Sequence, residues 1–266
     1  MTTPTVSAVI TELRLLYRYR AMLQSMVSMH LRGRYKGSVL GFLWTFVNPL
    51  MMLVVYSAVF SFVVRFEQQG YAIFLFVGLL PWYYHSQSLT MATACMVQHA
   101  NLIKKVYFPK SVLPLSVVLA NLLNFLFGLV ILVAALVISG VSPTSAWLAF
   151  PLVLAVHTLL IAGLALLFSV GNVYFRDLEH TLGVAVNMWF FVTPILYTLD
   201  IIPEHLQPYF RLNPLTPIIE AYRSVLFYGH PPDWALLGWL AAGLAVFLTL
   251  SLAVFVRAQR DVAEYL

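Results

Sequence analysis

Histidine, cysteine and carboxylate side chains carry most proton transfer, nucleophilic attack and metal binding in proteins. In this chain their spacing supports none of these. His85 and His99 share one apolar run, but fourteen residues of helix would hold them about 21 Å apart. His157 stands alone in a later run. The seven histidines therefore read as isolated packing residues. Cys95 is the one cysteine and lies among apolar neighbours, so it reads as a core thiol with no internal disulfide. There is no G-x-x-x-x-G-K-[ST] phosphate loop, so ATP hydrolysis would need another chain. G-x-S-x-G and H-E-x-x-H motifs and paired-cysteine metal spacings are missing too. A membrane glycosyltransferase would want clustered carboxylates at the membrane boundary. Glu67, Asp200, Glu204, Glu220 and Asp233, the acidic residues on the predicted outer side, contain no Asp-x-Asp.

Aromatic and cationic residues remain. Trp147, Trp234 and Trp239 read as interfacial belts. Trp44, Tyr56, Trp82, Tyr83, Tyr84, Trp189 and Phe190 are candidates for a track along which a glycan slides, since aromatic faces stack on the C–H faces of sugars. The alternative for each is packing or belt. The segment 98–110 mixes Asn101, Lys104, Lys105 and Lys110 with a patch that includes Tyr107 and Phe108 and ends at Pro109. It reads as a short helix that docks into a partner's groove. Arg176 and Asp177 belong to a second, shorter candidate, 174–179. The alternative for the lysines is simple anchoring at the cytoplasmic surface.

The elements that position these groups follow from composition. The 266 residues are 61% hydrophobic and 9% charged. A soluble domain carries about 25% charged residues, and a disordered chain is poorer in apolar groups. The fold class is therefore all-α, a polytopic membrane protein. Uncharged runs cover 37–64, 71–103, 111–175, 181–199 and 235–256. The third is long enough for two crossings and is divided by the turn cluster 139–145. Six transmembrane helices are expected. No charge sits at a membrane centre, which argues against an ion-coupled carrier. The net charge of +5 bears on orientation, not on nucleic acid. Twelve of fifteen Lys and Arg fall on the side of the two termini, which predicts both termini in the cytoplasm.

Residues 1–36 form an N-terminal segment, and 37–266 the six-span domain. The segment does not read as a signal peptide, because no apolar stretch precedes its basic cluster. Arg14, Arg18, Ala21, Ser25, Ser28 and Arg32 recur at helical spacing as a polar face. The opposite side is broad, apolar and rich in methionine, which suits an interfacial amphipathic helix or one packed on a soluble partner. Gly33, Gly37 and Gly41 then mark a flexible joint or a close helix contact. Between spans 5 and 6, residues 203–228 are too polar to span and too apolar for a free loop. They read as two short re-entrant helices at the outer face, broken by Pro214 and Pro217; Pro217 would open a helix through Ile218, Ile219, Ala221, Tyr222, Val225 and Leu226, on which Glu220 and Arg223 are spaced to pair.

Five ordered blocks carry a resemblance: 34–44 followed by Asn48-Pro49-Leu50; 104–109; 172–177; 193–197; and 213–217. Together they resemble type-2 ABC exporter permeases of the polysaccharide and polyol-phosphate group, most of all the O-antigen permeases. Capsule and teichoic-acid permeases are neighbours. The resemblance implies a homodimer in the bacterial inner membrane, joined to a separate ATPase subunit that holds ATP and Mg. This chain would carry no cofactor of its own. It also implies an amphipathic helix over 8–32, coupling contacts from 97–110 and 174–180, and an outer gate over 203–228. The substrate would be a polyprenyl-diphosphate-linked polysaccharide. Its diphosphate would need cations at the cytoplasmic face, and Arg32, Arg34 and Lys36 are the candidates. Two other readings stay open: a small lipid or drug exporter, and a membrane glycosyl- or acyltransferase.

Overall fold

The computed structural model describes residues 6–35, 40–59 and 70–266, which are helix and turn with no strand among them. Helices α1 (Val6–Arg18) and α2 (Arg20–Tyr35) come first. They run nearly end to end, because Tyr19 N donates to Leu15 O at 2.8 Å and Leu23 N to Tyr19 O at 3.0 Å. Six helices then occupy the apolar runs. These are α3 (Trp44–Ala58), α4 (Tyr71–Gln98), α6 (Val112–Ile138), α7 (Phe150–Tyr174), α8 (Leu178–Val192) and α11 (Trp234–Ala258). The short α5 (Ala100–Lys105) follows α4, while α9 (Gln207–Arg211) and α10 (Leu215–Leu226) lie between α8 and α11. A last turn, α12 (Val262–Tyr265), ends the chain.

Three segments, Val112–Ile138, Ser145–Tyr174 and Trp234–Ala258, are each long and apolar enough to cross a membrane. Helix α4 has 28 residues and is about 42 Å long. Its Ser, Thr, Gln and His residues make it less apolar, which its burial inside the protein permits. Helices α3 and α8 have 15 residues each, about 22 Å against a hydrocarbon thickness of ~30 Å.

Local chemistry sets the ends. Gly140, at φ 85°, closes α6: Val141 N donates to Leu136 O and Gly140 N to Val137 O, both at 3.0 Å. That pairing needs a left-handed residue, which glycine supplies without strain. Asp233 caps α11 by accepting from Leu236 N at 3.0 Å.

Helix α4 is central and packs against α3, α6, α7, α8 and α10, while α11 packs on α7. Glycines allow the closest crossings. A Cβ on Gly128 would lie 2.6 Å from Leu80 Cδ1, and one on Gly163 would lie 2.6 Å from Phe247 Cε1. Helix α2 lies on α6 and α1 on α11. The predicted polar face of this N-terminal segment is exposed, as expected. Its apolar side divides: Leu16, Tyr19, Met22, Leu23 and Met26 pack onto this chain's own bundle, whereas Met29 stays exposed. The partner for most of that face is therefore internal.

The turns gather at two ends. At one, Ser111 Oγ donates to Glu12 at 2.6 Å, Lys110 Nζ to Gln259 O at 2.5 Å and Tyr174 Oη to Ala258 O at 2.7 Å. At the other, Tyr71 Oη donates to Leu196 O, Thr144 meets Gly229, and Phe227 packs on Phe74.

Candidate functional site

The 203–228 region holds one strong helix and one weak one. Helix α10 begins at Leu215 with Pro214 as its cap residue, two residues before the start that Pro217 suggested. Pro217 sits in the first turn, where its missing N–H costs nothing. Leu215, Ile218, Ile219, Ala221, Tyr222, Val225 and Leu226 are buried, matching the apolar face read from sequence. Helix α9 spans only five residues and buries none.

Arg223, 3% exposed, is the anchor of this region. Its Nη1 donates to Pro194 O at 2.6 Å and Tyr197 O at 3.3 Å, and Nη2 to Ile195 O at 2.5 Å. The guanidinium also lies 3.8 Å from the centre of the Phe74 ring. Its hydrogen bonds thus go to the carbonyls just beyond α8. Glu220, one turn earlier and half-buried, adds electrostatic attraction. Asn213 ties the same place together: its Oδ1 accepts from Trp189 Nε1 at 2.9 Å and Leu215 N at 3.0 Å, and its Nδ2 donates to Thr193 at 2.9 Å.

The seven candidate aromatics separate into groups. Trp82 packs on Phe190 at 5.4 Å between ring centres, and Trp189 packs on His85 at 4.9 Å. Tyr84, 3% exposed, bonds Thr158 at 3.1 Å and packs on Phe125 and His157. Tyr83 is half-buried and lines a groove, and Trp44 is half-buried at the start of α3. The Tyr56 side chain lies outside the described residues. Burial of Trp82 and Tyr84 makes them packing groups within this chain.

The histidines do cluster, contrary to the sequence reading. His85 of α4 and His157 of α7 stack at 5.6 Å, and Tyr222 of α10 completes the contact at 5.9 Å from His157. Residues far apart in sequence meet because α4, α7 and α10 pack together, which spacing along one helix cannot reveal. No group of three or more His, Cys, Asp or Glu poised to hold a metal occurs among the described residues.

Between α3, α4 and α6 lies a groove of about 600 Å³, lined by Thr45, Asn48, Gln87, Asn121, Asn124, Tyr83 and Tyr84 with apolar neighbours. Of the exposed carboxamides, Asn48 on α3 and Gln87 on α4 line this groove, and Asn187 on α8 is exposed as well. By contrast, the exposed mid-helix residues of α6, α7 and α11 are apolar except Thr249, whose hydroxyl bonds Ala245 O at 2.8 Å.

At the end that gathers Glu12, Ser111 and Gln259, the docking candidates split. Asn101, Lys104, Lys105, Arg176 and Asp177 are exposed, and Tyr107 is 90% exposed. Phe108 and Ile103 are buried, so the patch read as an exposed docking face is half core. Phe175, 74% exposed, takes Phe108's place as an outward aromatic. Arg32 is exposed at the end of α2, whereas the Arg34 side chain and all of Lys36 lie outside the described residues. Sequence reading missed Glu12. It is 4% exposed, accepts from Ser111, and takes a second bond from Gln259 Nε2 at 3.3 Å. Its isolation among apolar residues of α1 was the available signal. Nearby, burial lowers the Lys110 pKa, with Asp261 partly offsetting the shift.

An all-helical bundle with strongly apolar helices has the architecture of a membrane-embedded subunit, and the family comparison agrees. The chain belongs to the ABC-2 type transporter family, whose profile matches residues 22–227. It is 36% identical over 253 residues to the O-antigen export system permease protein RfbA of Myxococcus xanthus, covering 94% of this chain and 97% of that one. An RfbA of Klebsiella pneumoniae is 34% identical over 237 residues, 89% of this chain and 91% of its own. The polysialic acid transport protein KpsM of Escherichia coli is more distant, 23% identical over 232 residues, 85% of this chain and 88% of its own.

Proposed function

We propose that this chain is the membrane subunit of an ATP-driven exporter that moves a polyprenyl-diphosphate-linked, O-antigen-like polysaccharide outward across the bacterial inner membrane. Two copies work with a separate ATPase that binds ATP and Mg. Each copy crosses six times with both termini in the cytoplasm. The gathering of turns at two ends supports alternate crossings, and the basic residues of 14–32, 104–110 and 257–260 lie at the end taken as cytoplasmic.

One observation carries the reading. An amide facing hydrocarbon is costly, so the carboxamides exposed on α3 and α4 beside the groove mark a side that does not face lipid. Uncharged amides and aromatic faces suit a polyhydroxylated chain that must be wetted and released, not gripped. That side faces the second copy and the glycan between them, while α6, α7 and α11 turn apolar residues to the bilayer.

Each end then has a task. Tyr107, Lys104 and Lys105 with Phe175, Arg176 and Asp177 present the surface on which the ATPase pushes. Arg32, with Arg34 and Lys36, receives the diphosphate. Helix α10, held to α8 by Arg223, closes the outer mouth, and Pro214, Pro217 and Glu220 shape its start and rim. The experiment is reconstitution of the chain with the ATPase encoded beside it. Hydrolysis stimulated by a lipid-linked glycan is expected, and a complex indifferent to such lipids would refute the proposal.

A further inference from the structure

Two polar atoms in the groove between α3, α4 and α6 have nothing to bond to among the described residues. Thr45 is 4% exposed, yet its hydroxyl has no hydrogen-bond partner, and Asn124 Oδ1 is buried and equally unpartnered. Both line the cavity of about 600 Å³ together with Asn48, Gln87, Asn121 and Tyr83. Asn121 is held in place by its bond to Val117 O at 3.1 Å. An orphaned buried hydroxyl or carboxamide destabilises a fold. Packing alone would be better served by valine and leucine.

The lining states what would satisfy these atoms. Among the described residues no lining side chain is charged, which disfavours a phosphate, carboxylate or ammonium ligand. Carboxamides and hydroxyls both donate and accept, as sugar hydroxyls require. Tyr83, Tyr84, Phe76 and Phe125 add flat apolar walls that match the C–H face of a sugar ring. The volume falls within the range of small-molecule sites, ~300–1,000 Å³.

We infer that this groove is a subsite for a neutral hexose-type ring of the transported glycan, with Thr45 and Asn124, whose free oxygens are shielded in the groove, rotating their side chains to complete their hydrogen bonds on its hydroxyls. The inference rests on the exporter reading and adds a stopping place beside the conduit, contributed by one copy alone.

Thr45→Val and Asn124→Leu remove the orphaned atoms at nearly constant shape. The permease–ATPase complex, reconstituted, is titrated with two synthetic lipids: polyprenyl diphosphate bearing a neutral hexose tetrasaccharide, and the same lipid without sugar. Each variant is expected to raise the sugar-bearing lipid concentration for half-maximal ATPase stimulation roughly fivefold, the worth of about one hydrogen bond. The bare-lipid curves should superimpose, Thr45→Ser should restore the wild-type curve, and the melting temperature should hold or rise. Unshifted curves would overturn the subsite, as would equal shifts with both lipids or lowered melting temperatures in both variants. A wild-type complex that responds to neither lipid would instead refute the exporter reading, and the subsite with it.

Discussion

Replacing Arg223 by methionine tests how α10 is held against the end of α8. The guanidinium makes two short hydrogen bonds, to Pro194 O and Ile195 O, and a longer one to Tyr197 O. Bonds to a charged group contribute about 1.5–3 kcal/mol each, so the two short ones amount to roughly 3–6 kcal/mol. The Phe74 face adds ~1–2 kcal/mol in a desolvated setting. Methionine also relieves the cost of burying a cation, which offsets part of this. A net loss of about 3–4 kcal/mol follows, confined to the contact between α10 and the end of α8. Hydrogen exchange in detergent or nanodiscs reads it directly: amides of 215–226 should exchange some hundredfold faster, while those of α7 and α11 change little. Arg223→Lys keeps the charge but not the fork, and should fall between. Wild-type protection of α10 in the methionine variant would refute the clamp.

Four further outcomes follow from the geometry. Tyr107→Ala together with Lys104→Glu should weaken co-purification with the ATPase without changing the melting temperature, whereas Phe108→Ala should lower stability by about 3–5 kcal/mol; the reverse assignment would exchange surface and core at this loop. Glu12→Ala should lower the melting temperature, since it leaves Ser111 Oγ and Gln259 Nε2 without their acceptor; an unchanged melting temperature would place α1 away from the bundle. Tyr83→Ala should slow export with assembly intact, while Tyr84→Phe should cost about 1 kcal/mol of stability through the lost bond to Thr158. Burial holds the Lys110 pKa below its ordinary ~10.4, so the folded state binds this proton less tightly than the unfolded one. Its contribution to stability therefore grows as pH rises towards ~10.4 and is lost as pH falls; the melting temperature of wild type relative to Lys110→Met should climb between pH 8 and 10.

Much was readable before any coordinates. Charge-free runs located the helices, because a charge within a span is expensive and so absent. The buried face of α10 was legible from Ile218, Ile219, Tyr222 and Leu226 at helical spacing. The errors share a cause. Phe108 and Tyr107 are neighbours of like character, and only the packing of the loop decides that one is core and the other 90% exposed. Arg223 was spaced to pair with Glu220, but the carbonyls left open beyond α8 compete better for a fork of donors. The apolar side of α1 and α2 suited a lipid surface, yet most of it meets the bundle.

The sequence by itself determined class and partition. Too few charges for water, collected at the turns, make a helical membrane protein. Only tertiary structure decided which polar groups are partnered. Glu12 finds Ser111 and Gln259, and Arg223 finds three carbonyls, across separations that no local pattern encodes. Thr45 and Asn124 find none. Burial raises the stakes of each hydrogen bond made or missed, and burial is a property of the packed bundle alone.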